Sequence, residues 1–142
     1  MHASDFFDLH GRVALVTGAS SGLGARMAQV LAANGAAVAL VARRADRLTA
    51  QVEASARDGG KAVAGEADVT DAAAMMRAFD AVEKQLGTVD ILLNNAGVVH
   101  SGKAVEVTAA EWRRVLATDL DAVFARSQEC ARRLLAAGRG GA

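Results

Sequence analysis

The feature that most narrows the fold is an alternation. Short apolar runs recur four times in 142 residues, each followed by a longer stretch with helical spacing. Residues 12–17 (RVALVT), 36–42 (AAVALVA), 61–67 and 89–93 (VDILL) read as strands, the third of them the weakest. Residues 22–34, 45–58, 70–86 and 108–137 read as helices. Apolar runs without polar alternation mark strands buried on both faces, and such strands are parallel and joined by helical crossovers. The expectation is an α/β chain with a doubly wound parallel sheet, forming one domain across residues 1–142.

The helices carry their own punctuation. In the first, Leu23, Met27, Val30 and Leu31 fall on one face, and Asn34-Gly35 supplies a stop. Leu48 and Val52 stand four apart in the second, which Gly59-Gly60 closes. Thr70 is positioned to cap the third, with Met75, Met76, Phe79, Val82 and Leu86 on its inner side. The fourth opens on Thr108-Ala-Ala-Glu111, a capping box in which hydroxyl and carboxylate satisfy each other's backbone donors. Trp112 reads as a packing residue, and Arg113, Arg114, Arg132 and Arg133 as a solvated face.

Composition excludes several classes. Sixteen Lys plus Arg balance sixteen Asp plus Glu, so no net field draws the chain to nucleic acid or to a membrane surface. Aromatics make up only 4% against 52% hydrophobic residues, so Ala, Val and Leu must fill the core. Cys130 is the single cysteine, which rules out an internal disulfide and fits buried packing in a cytoplasmic protein. Residues 1–11 lack the apolar segment of a signal peptide, and the uncharged stretch 27–42 is too short to span a bilayer. His2, His10 and His100 lack metal-ligand spacing, so no metal site is expected. Proline is absent, where average usage predicts about seven; nothing in the sequence accounts for that.

The turn between the first strand and first helix is TGASSGLG, placing Gly18, Gly22 and Gly24 where a backbone must come close to a ligand. Glycine there permits positive φ and removes the Cβ that would hold off a pyrophosphate. The helix that follows points unpaired N–H groups and its positive dipole end at the same anion, and Ser20 and Ser21 add hydroxyls. A plain structural turn is the alternative. After the second strand the chain reads Val41-Ala42-Arg43-Arg44, with no carboxylate to hold adenine-ribose hydroxyls. Arg43 is suited instead to a 2′-phosphate, which favours NADP(H) over NAD(H). A solvated helix-start arginine is the other reading.

With these residues in place, the sequence resembles the short-chain dehydrogenase/reductase family over nearly its whole length. TGASSGLG fits that family's TGxxxGxG turn, Asn94-Asn95-Ala96-Gly97 its NNAG element, and Asp68-Val69 the acidic dipeptide after the third strand. The resemblance implies the first half of a Rossmann-type doubly wound sheet, with strand order 3-2-1-4 and flanking helices. It also implies hydride transfer between a nicotinamide cofactor and an alcohol or carbonyl substrate. Gly18, Ser20, Ser21, Gly22, Leu23 and Gly24 would line the adenosine and pyrophosphate; Asp68 would meet the adenine amino group, with Val69 beside it. Asn95, Ala96 and Gly97 would flank the nicotinamide-side ribose and brace the sheet. Singly, Asp68 also fits a turn former and the asparagine amides a loop tie.

The family's proton donor is a tyrosine helped by a lysine and a serine, and these 142 residues contain no tyrosine. Ser101, Lys103 and Ser127 lie in the wrong segments to substitute. Asp119 stands where the family carries an asparagine. The chain is therefore expected to be an inactive cofactor-binding fragment of an oxidoreductase. A silent nucleotide-binding or oligomerising module is the alternative. Family resemblance implies a homo-oligomer through the long helix, and an exposed edge on the fourth strand predicts poor solubility or self-association.

Overall fold

The structure, a computed structural model, describes residues 7–142; His2 lies outside the described residues. Its centre is β1, Val13–Thr17, in which all five residues are buried. Side chains alternate across a strand, and here both faces are apolar. Val13 and Leu15 enter one core with Ala39, Val41, Met75, Phe79, Val82 and Cys130, while Ala14 and Val16 enter the other with Ala28, Val38, Leu40 and Leu48. That two-sided burial is why the run needs no polar alternation, and it places β1 inside the sheet rather than at an edge.

Around β1 the sheet is four-stranded, in the order β3-β2-β1-β4, and every pairing is parallel. The strands are β2 (Ala37–Ala42), β3 (Ala62–Glu66) and β4 (Ile91–Leu93). Helices α1 (Gly22–Ala33) and α2 (Ala45–Arg57) cover one face; α3 (Ala72–Leu86) and α5 (Ala122–Ala136) cover the other, with α4 (Ala109–Leu116) leading into α5. The doubly wound Rossmann-type arrangement with order 3-2-1-4 is thus as expected. Phe79 is fully buried, and truncating a core aromatic of this kind typically costs about 3–5 kcal/mol.

Several local expectations are corrected. Thr70 does not cap α3: its hydroxyl donates to Asp68 Oδ1 at 2.7 Å, and Asp71 caps instead by accepting from Ala74 N at 2.9 Å. Met76 lies on the outer side of α3 at 42% exposure, and Trp112 is exposed rather than packed. Leu23 and Val30 of α1 are likewise exposed. Arg133 is no solvated residue. Its guanidinium meets Asp80 and Glu83 at 2.8 Å and Glu129 at 2.7 Å, over the Phe79 ring, and so ties α5 to α3.

The capping box at Thr108 and Glu111 forms as expected, but the long helix is not uniform. Between α4 and α5, Ala117–Asp121 is a π-helical turn, a widening that tends to occur at functional sites. β4 is also shorter than the VDILL run. At Asp90 a side chain takes over from the ladder: the fully buried carboxylate accepts from Val13 N at 2.8 Å, from Arg139 Nη2 at 2.8 Å and from Arg12 Nη1 at 3.3 Å. On the outer side of β4, Ala142 N donates to Asp90 O at 2.8 Å and Leu92 N donates to Ala142 O at 2.9 Å, the spacing of a further parallel strand.

Candidate functional site

A cavity of about 790 Å³ opens at the C-terminal ends of the strands, where parallel α/β sheets bind ligands. Its floor is the β1–α1 turn. Gly18 holds φ at +65°, and a Cβ there would stand 2.9 Å from Ala96 Cα. At Gly24 a Cβ would fall 2.4 Å from both Gly18 O and Asn95 Nδ2. Only glycine lets the turn fold back onto the loop after β4. Gly22, at φ +59°, has open space where its side chain would be, so the entrance to α1 is bare.

Side chains brace this turn from three directions. Thr17 Oγ1 donates to Leu93 O and accepts from the backbone N–H groups of Asn95 and Ala96 at 3.0 and 3.1 Å. Asn95 Nδ2 donates to Thr17 O at 3.0 Å, and Gln51 Nε2 donates to Ala19 O at 2.9 Å. The amide of Asn95 is therefore committed to the turn. Asn94 donates to Ser127 Oγ at 3.0 Å, which fixes the same loop to α5.

At its entrance, beside the cavity residues Ser20 and Ser21, α1 has no capping side chain and no acidic residue in its first turn, so no side chain satisfies its first backbone donors. The side chain of the N-cap residue Ser21 does not bond back to the helix. Instead Arg44 Nη2 donates to Ser20 Oγ at 3.0 Å and to Ser21 Oγ at 3.2 Å. Arg43, exposed, lies 3.8 Å from Asp68 Oδ2. Asp68 Oδ1 accepts from the Thr70 hydroxyl and the Thr70 backbone N–H, and these bonds, with Arg43 nearby, hold its carboxyl below the usual range. Asp68 is thus a turn former through one oxygen, while its residue also lines the cavity.

Of the residues singled out from sequence, Gly18, Ser20, Ser21, Arg43, Asp68, Val69, Asn95, Ala96 and Gly97 line this cavity together. Gly22, Leu23 and Gly24 do not; Leu23 leaves the turn on the solvent side of α1 at 76% exposure, and Gly24 is buried behind it. Asp119 also lies off the lining, with its Oδ1 accepting from Val98 N at 2.9 Å. Arg44 and Thr118, not singled out from sequence, also line the cavity, and so does Arg114, which was expected on a solvated face. Arg44 was signalled by the same missing carboxylate after β2 that singled out Arg43. Arg114 carried no signal, because its bond to the Val99 carbonyl joins α4 to the loop after β4, a contact that no periodicity contains.

The short chain dehydrogenase family model matches residues 12–142. Gluconate 5-dehydrogenase of Gluconobacter oxydans is 39% identical over 140 residues, covering 99% of this chain and 55% of that protein. A crystal structure of a short-chain type dehydrogenase/reductase from Mycobacterium marinum superposes with a TM-score of 0.94 at 37% identity, covering 99% of this chain and 57% of the other. A metagenomic short-chain oxidoreductase solved in complex with NADP gives a TM-score of 0.85 at 36% identity, covering 93% of this chain and 60% of the other. The chain spans about half the length of the curated relatives it matches.

Proposed function

The chain belongs to the short-chain dehydrogenase family, and from that membership we propose that it holds a nicotinamide dinucleotide, NADP(H) in preference to NAD(H), for an alcohol–carbonyl oxidoreductase. The observation that carries this reading is the uncapped, acid-free entrance to α1, with Arg43 and Arg44 beside it on the cavity wall. The pyrophosphate would rest on the first amides of α1, where no Cβ intervenes at Gly18 or Gly22. The adenosine would lie toward the tips of β2 and β3, along Asp68 and Val69, and the nicotinamide toward Asn95, Ala96 and Gly97 beyond β4. When bound, the cofactor supplies or accepts the hydride.

Arg44 is the better-anchored arginine for a 2′-phosphate. Its two serine contacts fix the guanidinium at the turn, whereas Arg43 stands opposite a carboxylate. Charge-assisted bonds to phosphate rank among the stronger polar contacts. These residues hold and orient; none of them is a proton donor of the tyrosine kind, so the 142 residues alone are proposed to reduce nothing. Balanced charge and a single buried thiol go with a small-molecule partner in the cytoplasm; no described helix is long and apolar enough to cross a membrane.

A second reading has its own observation. Trp112, Leu120, Phe124 and Leu135 are all more than half exposed along α4, the π-turn and α5, which favours self-association through that surface. Thermal-shift and calorimetric titrations separate the readings. NADPH is expected to stabilise the chain more than NADH, and Arg44→Ala to weaken NADPH about tenfold or more while changing NADH little. No stabilisation by either cofactor overturns the first reading and leaves the oligomerising module.

A further inference from the structure

The charge at Asp119 has no counterpart in what the cavity needs for a phosphate. The resemblance places a neutral asparagine here; this chain has a carboxylate. Its Oδ1 accepts the Val98 N–H at 2.9 Å, and a Cβ on Gly97 would stand 3.5 Å from that same oxygen. Gly97 and Val98 are themselves cavity wall. Asp119 therefore lies immediately behind the wall, one backbone thickness from the space beyond β4. The π-turn Ala117–Asp121 brings it there, since five-residue spacing faces Arg114 and Asp119 to the same loop; Arg114 Nη2 donates to Val99 O at 3.2 Å. Arg114 keeps its positive charge on the cavity wall, a constant term that the Asp119→Asn comparison leaves unchanged, and among the described residues Asp119 makes no ion pair within 4.0 Å.

We propose that the Asp119 carboxylate makes the cavity distinguish the two redox states of the cofactor, favouring the oxidised nicotinamide over the reduced one. The inference rests on the dinucleotide reading above. In that reading the adenosine end is fixed by Arg43, Arg44 and Asp68 beside β2 and β3. The sheet order then leaves the β4 end, in front of Gly97 and Val98, for the nicotinamide. The oxidised ring is a cation and the reduced ring is neutral, while the phosphates are common to both. A fixed negative charge behind the wall attracts one ring and not the other, and the phosphate terms cancel in the ratio of affinities. Because Asp119 is an exposed residue, solvent screens the effect to a modest size.

The test is calorimetric, on the 142-residue chain and on Asp119→Asn, which keeps an acceptor for Val98 N–H and removes the charge. The ratio Kd(NADPH)/Kd(NADP+) is expected to fall about three- to tenfold in the variant. For the unaltered chain, raising NaCl from about 0.05 to about 0.5 M is expected to lower the same ratio, as screening shortens the reach of the charge. This second measurement needs no variant to fold. Equal weakening of both redox forms in Asp119→Asn would assign the residue a purely structural role and overturn the proposal. A ratio indifferent to salt would overturn it as well. Failure of both redox forms to bind would instead remove the dinucleotide reading on which it stands.

Discussion

Asp90 joins three parts of the fold, and its removal should be costly in a way its conservative replacement is not. The carboxylate is fully buried at the start of β4, yet it reaches β1 through Val13 N, the preceding residue through Arg12, and the segment after α5 through Arg139. In Asp90→Ala the Val13 N–H is left without its acceptor inside the sheet, which costs about 1–3 kcal/mol. The arginines are half exposed, at 52% and 41% of their side chains, and regain water. Each lost pair therefore adds only about 0.5–1 kcal/mol. The total is about 2–5 kcal/mol, or a fall in melting midpoint of roughly 10 °C for a chain of this size. Asp90→Asn keeps an oxygen for Val13 and loses only the charge, for about 1–2 kcal/mol. Urea unfolding followed by far-ultraviolet circular dichroism measures both. Equal losses for the two variants, or less than about 1 kcal/mol for alanine, would refute the assignment of the cost to the orphaned amide.

Three more outcomes follow from the geometry. Gly24→Ala is expected to destabilise by about 1–3 kcal/mol, because overpacking against Gly18 O and Asn95 Nδ2 exceeds the gain in helix propensity; an unchanged urea midpoint would contradict it. Thr70→Val should raise the titration midpoint of the Asp68 carboxyl, followed by NMR, since Thr70 holds it down. The associated stability is present above the unfolded carboxyl's range and is lost as pH falls through the folded value, so the variant should gain less on leaving acid. Cys130 is buried, and burial first, then the Glu83 and Asp90 carboxylates, push its thiol up. It should resist alkylation at neutral pH until urea is added, and rapid native labelling would count against that packing.

Much of the fold was legible because parallel strands declare themselves as unbroken apolar runs, and β1 and β2 are such runs. Of the cavity residues, Gly18 was legible in the glycine turn after β1, and Asp68 and Asn95 through the resemblance of their motifs to those of a known family. What failed was decided by competition between neighbours. Thr70 and Asp71 both fit a cap, and Asp68 took the Thr70 hydroxyl, leaving the cap to Asp71. Met75 and Met76 are chemically identical, and only helix phase sends one inward. Asp90 ends the ladder through a side-chain bond that no periodicity contains. Arg133 and Arg132 look alike in sequence, but the acids that bury Arg133 come partly from α3, about fifty residues earlier.

The order β3-β2-β1-β4 also sets a timetable for synthesis. β1 leaves the ribosome early and finds β2 soon after, but its other neighbour is remote: the bond from Val13 to Asp90 spans 77 residues. At about 5–20 residues per second, that interval is on the order of 4–15 s. Throughout it a strand that is buried along its whole length in the folded protein has one flank without a partner. This polypeptide thus carries its greatest hazard before it is finished, while the ribosome is still supplying the strand that will shield it.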